Sequence, residues 1–300
     1  MNSTEIALQP CPSKLTNAQI EQYKEEGFVA FTDVLNSSEV EKSKRELEGI
    51  GYQLVTGSPE DVAYSPAAAN AEKNPLSGAS YKFKHNRCFM QLEPGFDPLE
   101  LKDPDKIEQS IRKYMWTTEQ SDFFKHLLDP SGAIIRTVES LIGPNPIHFQ
   151  DMALIKPAFV GTEKPWHQDD AYFSISPLDA VIGVWIALDD AEVENGCMHV
   201  LAQGHKNGAL RHFHDRECEI MPDRIDPAKI VPVPIPSGGA MFFSGMIPHE
   251  TPPNKSPLRR RALQFHFRAA TSKIVDEEIY NRMFVEADGS PASCRAAVTK

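Results

Sequence analysis

Hydrophobic positions follow two regimes along the chain. In the N-terminal half they fall at helical spacing between short apolar runs. From about residue 147 they alternate with polar positions in short segments. Thr16–Glu26 predicts a helix: Thr16 and Gln19 form a capping box, Ile20 and Tyr23 lie three apart, and Gly27 suits the C′ position. Phe28–Phe31 predicts a short strand, and Asn36, Ser37 and Glu39 open a second helix to about Ile50 with Val40 and Leu47 on one face. Both helices are amphipathic and are expected to lie on a sheet. Residues 51–80 are rich in Gly, Pro, Ser, Ala and Asn and predict a long loop, either an active-site cover or a disordered surface excursion. Tyr81–Leu92 reads as a strand carrying Lys82, Lys84 and Arg87, and residues 105–128 as an interrupted helix. A cleaner helix spans Gly132–Ile142, with Ile134, Ile135, Val138, Leu141 and Ile142 on its apolar face and Gly143-Pro144 as its stop.

The alternating segments are Ile147–Lys156, Val181–Leu188, Met198–Leu201, Ile230–Val233, Ala240–Phe243 and Arg260–Phe267. No helix-length pattern clearly interrupts them, which predicts a mostly antiparallel sheet. Residues 205–229, with Arg211, His212 and His214, read as a polar connection, and the tail from 271 as helical near Glu277–Phe284. Without an internal repeat or a composition break, residues 1–300 are expected to form one domain: a core over roughly 15–270 and a C-terminal extension over 271–300.

The chemistry concentrates in WHQDDAYF. Strand alternation sends His167 and Asp169 to one side, supplying an imidazole nitrogen and a carboxylate oxygen, two of the three donors of a 2-His-1-carboxylate iron site. Among the ten histidines, His249 is best placed as the third, since it follows the strand AMFFSG and Pro248 and opens a Gly/Pro-rich turn expected to form a hairpin with the next strand. Parity then separates three adjacent arginines. Arg259 and Arg261 share a face with Leu263, Phe265 and Phe267 and are expected to be solvated, whereas Arg260 shares the inward face with Ala262, Gln264 and His266. A guanidinium in a cavity suits bidentate binding of a carboxylate. By the same parity Trp185 points inward, while for Ile147–Lys156 the pattern leaves open which face, including that of Met152, is inward. Asp170 is expected behind the site or exposed, His199 in a structural role, and Asp189, Asp190, Glu192 and Glu194 in a solvated acidic turn.

Composition sets outer limits. At 41% hydrophobic and 24% charged the chain has material for an ordinary core. A net charge of −11 argues against nonspecific binding of nucleic acid or anionic membrane. The N-terminus has no secretory pattern, and the longest apolar run, Ala180–Leu188, is too short to span a bilayer. Five scattered cysteines without a CxxC argue against a disulfide framework or a thiolate zinc site and for a reducing, cytoplasmic setting. The expected partner is a small molecule, and the expected state a monomer or homodimer.

HQDDAYF, VIGVWIALDDAEVENGCMHVLAQGHK and GGAMFFSGMIPHETPPNKSPLRRRALQFHF together resemble the phytanoyl-CoA dioxygenase family of Fe(II)/2-oxoglutarate oxygenases, as does the opening LTNAQIEQYKEEGFVAFTDVLNSSEV. The likeness covers roughly residues 15–270 and rests on an ordered HxD…H…R pattern. It implies a mainly β fold, a double-stranded β-helix (jelly roll, cupin-like) with flanking helices. It implies His167, Asp169 and His249 as iron ligands and Arg260 as the anchor of the 2-oxoglutarate C5 carboxylate. Gln168, Trp185 and Met152 align with further cosubstrate positions, Thr251 stands where a hydroxyl assists that carboxylate, and Lys82 or Lys84 is a candidate for a basic helper. The implied reaction consumes O2 and 2-oxoglutarate, releases succinate and CO2 and hydroxylates an unactivated C–H, with ascorbate as a possible reductant. The ligand Asp169 sets the chain apart from halogenases that lack this carboxylate. QGHK departs from the family's GSH-type turn, and residues 51–80 and 205–229 match nothing specific, so substrate choice is expected there. The competing readings are a catalytically silent jelly-roll binding protein and a cupin-like zinc hydrolase; the latter leaves Arg260 without a task.

Overall fold

The computed structural model describes residues 8–67, 75–96, 106–107 and 109–297. Helix α1 (Asn17–Glu26) and helix α2 (Ser37–Thr56) flank strand β1 (Phe28–Phe31), and both helices begin with a capping box, Thr16/Gln19 and Asn36/Glu39. The expected loop over 51–80 is corrected in part. Helix α2 runs on to Thr56 because Leu54 continues its buried stripe, strand β2 (Val62–Ser65) follows, and residues 68–74 lie outside the described residues. The single strand expected over Tyr81–Leu92 is two, β3 (Ser80–Phe83) and β4 (Phe89–Leu92), paired antiparallel. The interrupted helix expected over 105–128 is also corrected, as far as that stretch is described. It holds strand β5 (Ile111–Met115), a 3-10 turn over Thr117–Glu119 and the short helix α3 (Asp122–His126). Helix α4 (Ala133–Ile142) lies where its apolar stripe predicts.

The strand-rich half follows its alternation closely. Strand β6 (Ile147–Lys156) is followed by β7 (Lys164–His167), β8 (Ile175–Ser176), β9 (Val181–Ala187) and β10 (Met198–Leu201). The connection over 205–229 is not featureless. It contains a hairpin of β11 (His212–His214) and β12 (Cys218–Ile220), too short for periodicity to reveal. Strands β13 (Ile230–Val233), β14 (Ala240–Ser244), β15 (His249–Thr251), β16 (Arg260–Arg268) and β17 (Lys273–Ile274) precede helix α5 (Glu277–Met283).

A nine-stranded antiparallel sheet in the order β1-β14-β9-β16-β6-β5-β4-β3-β2 faces a four-stranded sheet in the order β13-β10-β15-β7. This is a jelly roll whose larger sheet is extended by the N-terminal strands. Strand parity sorts the two cores. Leu263, Phe265, Phe267, Ile182, Val184 and Ile186 face the helices with Leu47 and Val138. Trp185, Ala187 and Ala262 face the smaller sheet with Met198, Val200 and Val233. The hairpin expected after His249 is instead a crossing between sheets: β15 pairs with β10 and β7, while β16 pairs with β6 and β9. The intervening PPNKSP segment carries too few backbone donors to extend a ladder.

Two further expectations fail for physical reasons. Arg261 is buried rather than solvated, because α2 covers that face; it donates to both oxygens of Asp189 at 2.9 Å and to Glu48 at 3.3 Å. Asp189 is thereby drawn out of the solvated acidic turn. The cysteines are not all reduced: Cys218 on β12 and Cys294 in the C-terminal extension form a disulfide, which only the fold brings together across 76 residues of sequence. Among the described residues no helix is long and apolar enough to cross a membrane.

Candidate metal and cosubstrate site

Strand β7 delivers His167 beside His249 of β15, directly opposite in the ladder, with ring centroids 4.2 Å apart. Asp169 is not on a strand; it opens a 3-10 turn immediately after β7. The intervening Gln168 is extended (φ −108°, ψ 131°), so alternation still holds across it and both side chains face the same way. Asp169 Oδ1 lies 3.4 Å from His167 Nε2 and 3.8 Å from His249 Nε2. One donor atom from each of the three buried residues lies within 4.8 Å of the others.

The donor set fits a divalent iron. His167 Nδ1–H donates to the Pro165 carbonyl at 2.8 Å and His249 Nδ1–H to the Ile247 carbonyl at 3.0 Å, which leaves both Nε2 lone pairs facing Asp169. Burial, with His249 and Lys164 nearby, pushes His167 down to about 3, and burial likewise lowers His249. Burial opposes ionisation of Asp169, but the surrounding His266 and His249 outweigh it and hold the carboxyl well below its ordinary value. Two neutral imidazoles and one carboxylate are the protonation states a metal requires.

The donors open onto a cavity of about 970 Å³ including its mouth. Its larger-sheet wall settles the face of β6 that sequence left open: Gln150, Met152, Leu154 and Lys156 point inward. Arg260 also lines it. Only 1% exposed, its guanidinium lies 5.2 Å from the Trp185 ring, donates to the Leu154 carbonyl at 3.0 Å, and keeps Nε without a partner among the described residues. Thr251 lines the same cavity. Trp185 does not; it is fully buried behind Arg260. Gln168 is a correction, because its side chain turns away from the cavity. It donates to the carbonyls of Gly208 (2.9 Å) and Met246 (2.7 Å) and accepts from Leu210 N–H (2.8 Å), tying the insertion over 205–229 to the donor segment. Asp170 is buried, and its carbonyl accepts from Tyr280 at 2.6 Å.

Several cavity residues escape a reading of the sequence. Lys82 is exposed, and Lys84 donates to the Pro59 carbonyl, so neither reaches the site. Besides Arg260, the basic side chains that do are Arg112 and Lys113 of β5, Lys156 of β6 and Lys164 of β7. Lys156 donates to the carbonyls of Thr162 (2.5 Å) and Thr251 (3.2 Å). Lys113 is pushed down to about 8 by burial, against the opposing pull of Glu217. Glu217, beside the disulfide, bridges Arg112 and Lys164 across the outer wall. Tyr172 joins it by accepting from Lys164 at 3.0 Å and donating to the Cys218 carbonyl at 3.0 Å. Reading β5 as helix hides Lys113, and Glu217 sits in a hairpin without periodicity.

A jelly roll holding two histidines and a carboxylate at one end of a cavity, with a buried arginine in its wall, defines the non-haem Fe(II)/2-oxoglutarate oxygenase class. The model of the family described as phytanoyl-CoA dioxygenase (PhyH) matches residues 23–262, and the chain belongs to that family. Phytanoyl-CoA dioxygenase 1 of Oryza sativa subsp. japonica is 32% identical over 262 residues, covering 86% of this chain and 90% of the relative. Among solved structures, EvdO2 from Micromonospora carbonacea var. aurantiaca complexed with 2-oxoglutarate superposes with a TM-score of 0.59 at 22% identity, covering 88% of this chain and 94% of that one. The epimerase SnoN in complex with Fe3+, alpha ketoglutarate and nogalamycin RO gives a TM-score of 0.59 at 17% identity, covering 92% and 94%.

Proposed function

We propose that this chain is an Fe(II)- and 2-oxoglutarate-dependent oxygenase that hydroxylates an unactivated C–H of a small organic molecule. The observation that carries the reading is the convergence of His167, Asp169, His249 and Arg260 on one cavity. In this reading the two imidazole Nε2 atoms and Asp169 Oδ1 would hold the metal. Arg260 takes the distal carboxylate of 2-oxoglutarate, in a cavity that Thr251 and Lys113 also line. Met152 and Leu154 pack its methylenes and keep water out. Trp185 acts at one remove, as the aromatic surface against which the Arg260 guanidinium rests. When bound, iron and 2-oxoglutarate supply oxidative decarboxylation to succinate and CO2, coupled to transfer of an oxygen atom from O2 to substrate. Tyr172, Phe173, Lys164 and Glu217, on the cavity's outer wall, face the substrate, and the β11–β12 insertion that carries Glu217 shapes its specificity.

The test is O2-dependent succinate formation from 2-oxoglutarate with added Fe(II) and ascorbate, across a panel of small-molecule substrates. Wild type is expected to form succinate, and His167→Ala and Asp169→Ala are expected to abolish it. Absence of turnover over the whole panel, or full turnover in either variant, sinks the reading.

A further inference from the structure

Asp169 uses its two carboxylate oxygens differently. Oδ1 faces the Nε2 atoms of His167 and His249 at 3.4 and 3.8 Å. Oδ2 faces the larger sheet, where His266 Nε2 lies 2.8 Å away and Gln264 Nε2 3.4 Å away. An imidazole lone pair at 2.8 Å from a carboxylate oxygen would be repulsive, so the His266 proton resides on Nε2 and is donated to Oδ2. The ring is 1% exposed, and its Nδ1 has no partner among the described residues; the Gln264 amide nitrogen lies 2.9 Å from Nε2, so with Nε2–H given to Asp169 that amide must turn its oxygen toward the imidazole. Phe149 and Phe173 pack against it with centroids 6.0 and 5.2 Å away, and against each other at 4.9 Å. His266 Nε2 is not in the donor group formed by His167, Asp169 and His249.

Resting on the metal-site reading above, we infer that His266 is a positioning residue: held by Phe149 and Phe173, it donates Nε2–H to Asp169 Oδ2 and thereby commits Oδ1 alone to the metal. A carboxylate relieved of that bond can rotate or bind through both oxygens. One-atom binding keeps a coordination position open for a cosubstrate or O2. The strand geometry supports the assignment, because β16 places Arg260, Gln264 and His266 on one face and so carries both the guanidinium and the carboxylate's support. Losing such an outer hydrogen bond typically weakens metal binding about 10–100-fold.

The experiment is titration of the metal-free full chain with Co(II), following affinity and the visible d–d spectrum. The variants are His266→Gln, whose amide nitrogen stands where Nε2 stood, His266→Asn, whose shorter amide cannot reach Asp169, and His266→Phe. Expected are wild-type-like affinity and spectrum for His266→Gln, and for the other two a loss of about 10–100-fold with an altered spectrum. Should His266→Phe fail to fold, the Gln and Asn pair decides. Equal affinities for Gln and Asn, or wild-type behaviour of a folded His266→Phe, would overturn the inference while leaving the metal site intact. If wild type binds no Co(II), or Asp169→Ala binds it as tightly as wild type, the underlying site assignment fails and takes the inference with it.

Discussion

Arg260 illustrates how much one buried charge implies. Its guanidinium sits fully inside the protein with no carboxylate paired to it in any described contact, only the Leu154 carbonyl and the Trp185 ring. Burial pushes it down only to about 10, so it stays cationic at neutral pH. An uncompensated buried charge is costly unless a ligand supplies its partner. Arg260→Ala is therefore expected to raise the 2-oxoglutarate KM roughly 10–100-fold, the equivalent of a charge-assisted hydrogen bond, with Co(II) affinity unchanged. Loss of metal binding would contradict the role. Lys113 gives a second test with a defined sign. Its value of about 8 means that charge is lost as pH rises through 8, so 2-oxoglutarate binding to wild type should weaken above that pH. Lys113→Met should start weaker and be flat across the same range. A KM profile over pH 6.5–9.5 for both proteins reads the difference, and identical slopes would remove Lys113 from the binding site.

At the scale of elements, alternation proved a dependable guide where strands are long and one face meets the helices. Strand β6 and its partners β9 and β16 lie within a residue of their expected bounds, and their parity places Arg260, Gln264 and His266 inward. It failed where strands are short or where tertiary packing decides. Five residues of β5 cannot show a period, β11 and β12 have three each, and Arg261 is buried by α2, which no local pattern announces. The Cys218–Cys294 bond is the clearest case, since the pairing exists only once the extension folds back onto the β11–β12 hairpin. There Cys294 N–H donates to the Ala171 carbonyl at 3.0 Å, and the Cys294 carbonyl accepts from His214 at 2.8 Å. Closing so long a loop restricts the unfolded chain and contributes about 2–4 kcal/mol. Cys294→Ser, or reduction of wild type, should lower the melting temperature accordingly, and the variant should no longer respond to reductant. A melting curve indifferent to reductant in wild type would show that the bond does not form in solution. Gly183 of β9 makes a separate point about packing: a Cβ there would lie 2.3 Å from the fully buried Phe243 ring, so Gly183→Ala should cost roughly 1–3 kcal/mol in a urea titration.

For the molecule as a whole, stability and site share buried carboxylates. Glu217 is opposed by burial but drawn well below its ordinary value by Lys164, Arg112 and Lys113, and it holds the insertion against the barrel. Asp189 behaves alike on the other side of the larger sheet. Burial opposes its ionisation, yet the Arg261 hydrogen bonds and charge, with Lys44 behind them, lower it and fasten α2 to the sheet. A carboxyl whose folded value is depressed contributes stability that is fully present above its unfolded value, near 4, and is lost as pH falls through that value toward the lower folded one. Both groups therefore favour the folded state at neutral pH and release it in acid. Asp189→Asn isolates one of them without touching the cavity. It should melt below wild type at pH 7, and the gap should narrow as pH falls from about 5 to 3, because wild type is then losing the interaction that the variant already lacks. Succinate formation at pH 7 should be retained in the variant wherever it stays folded, since Asp189 lies on the helix-covered face of the sheet and His167 on the other. A gap independent of pH would mean that the Asp189 carboxylate contributes by packing alone, and lost turnover in a folded variant would mean that the outer face governs the site through β16.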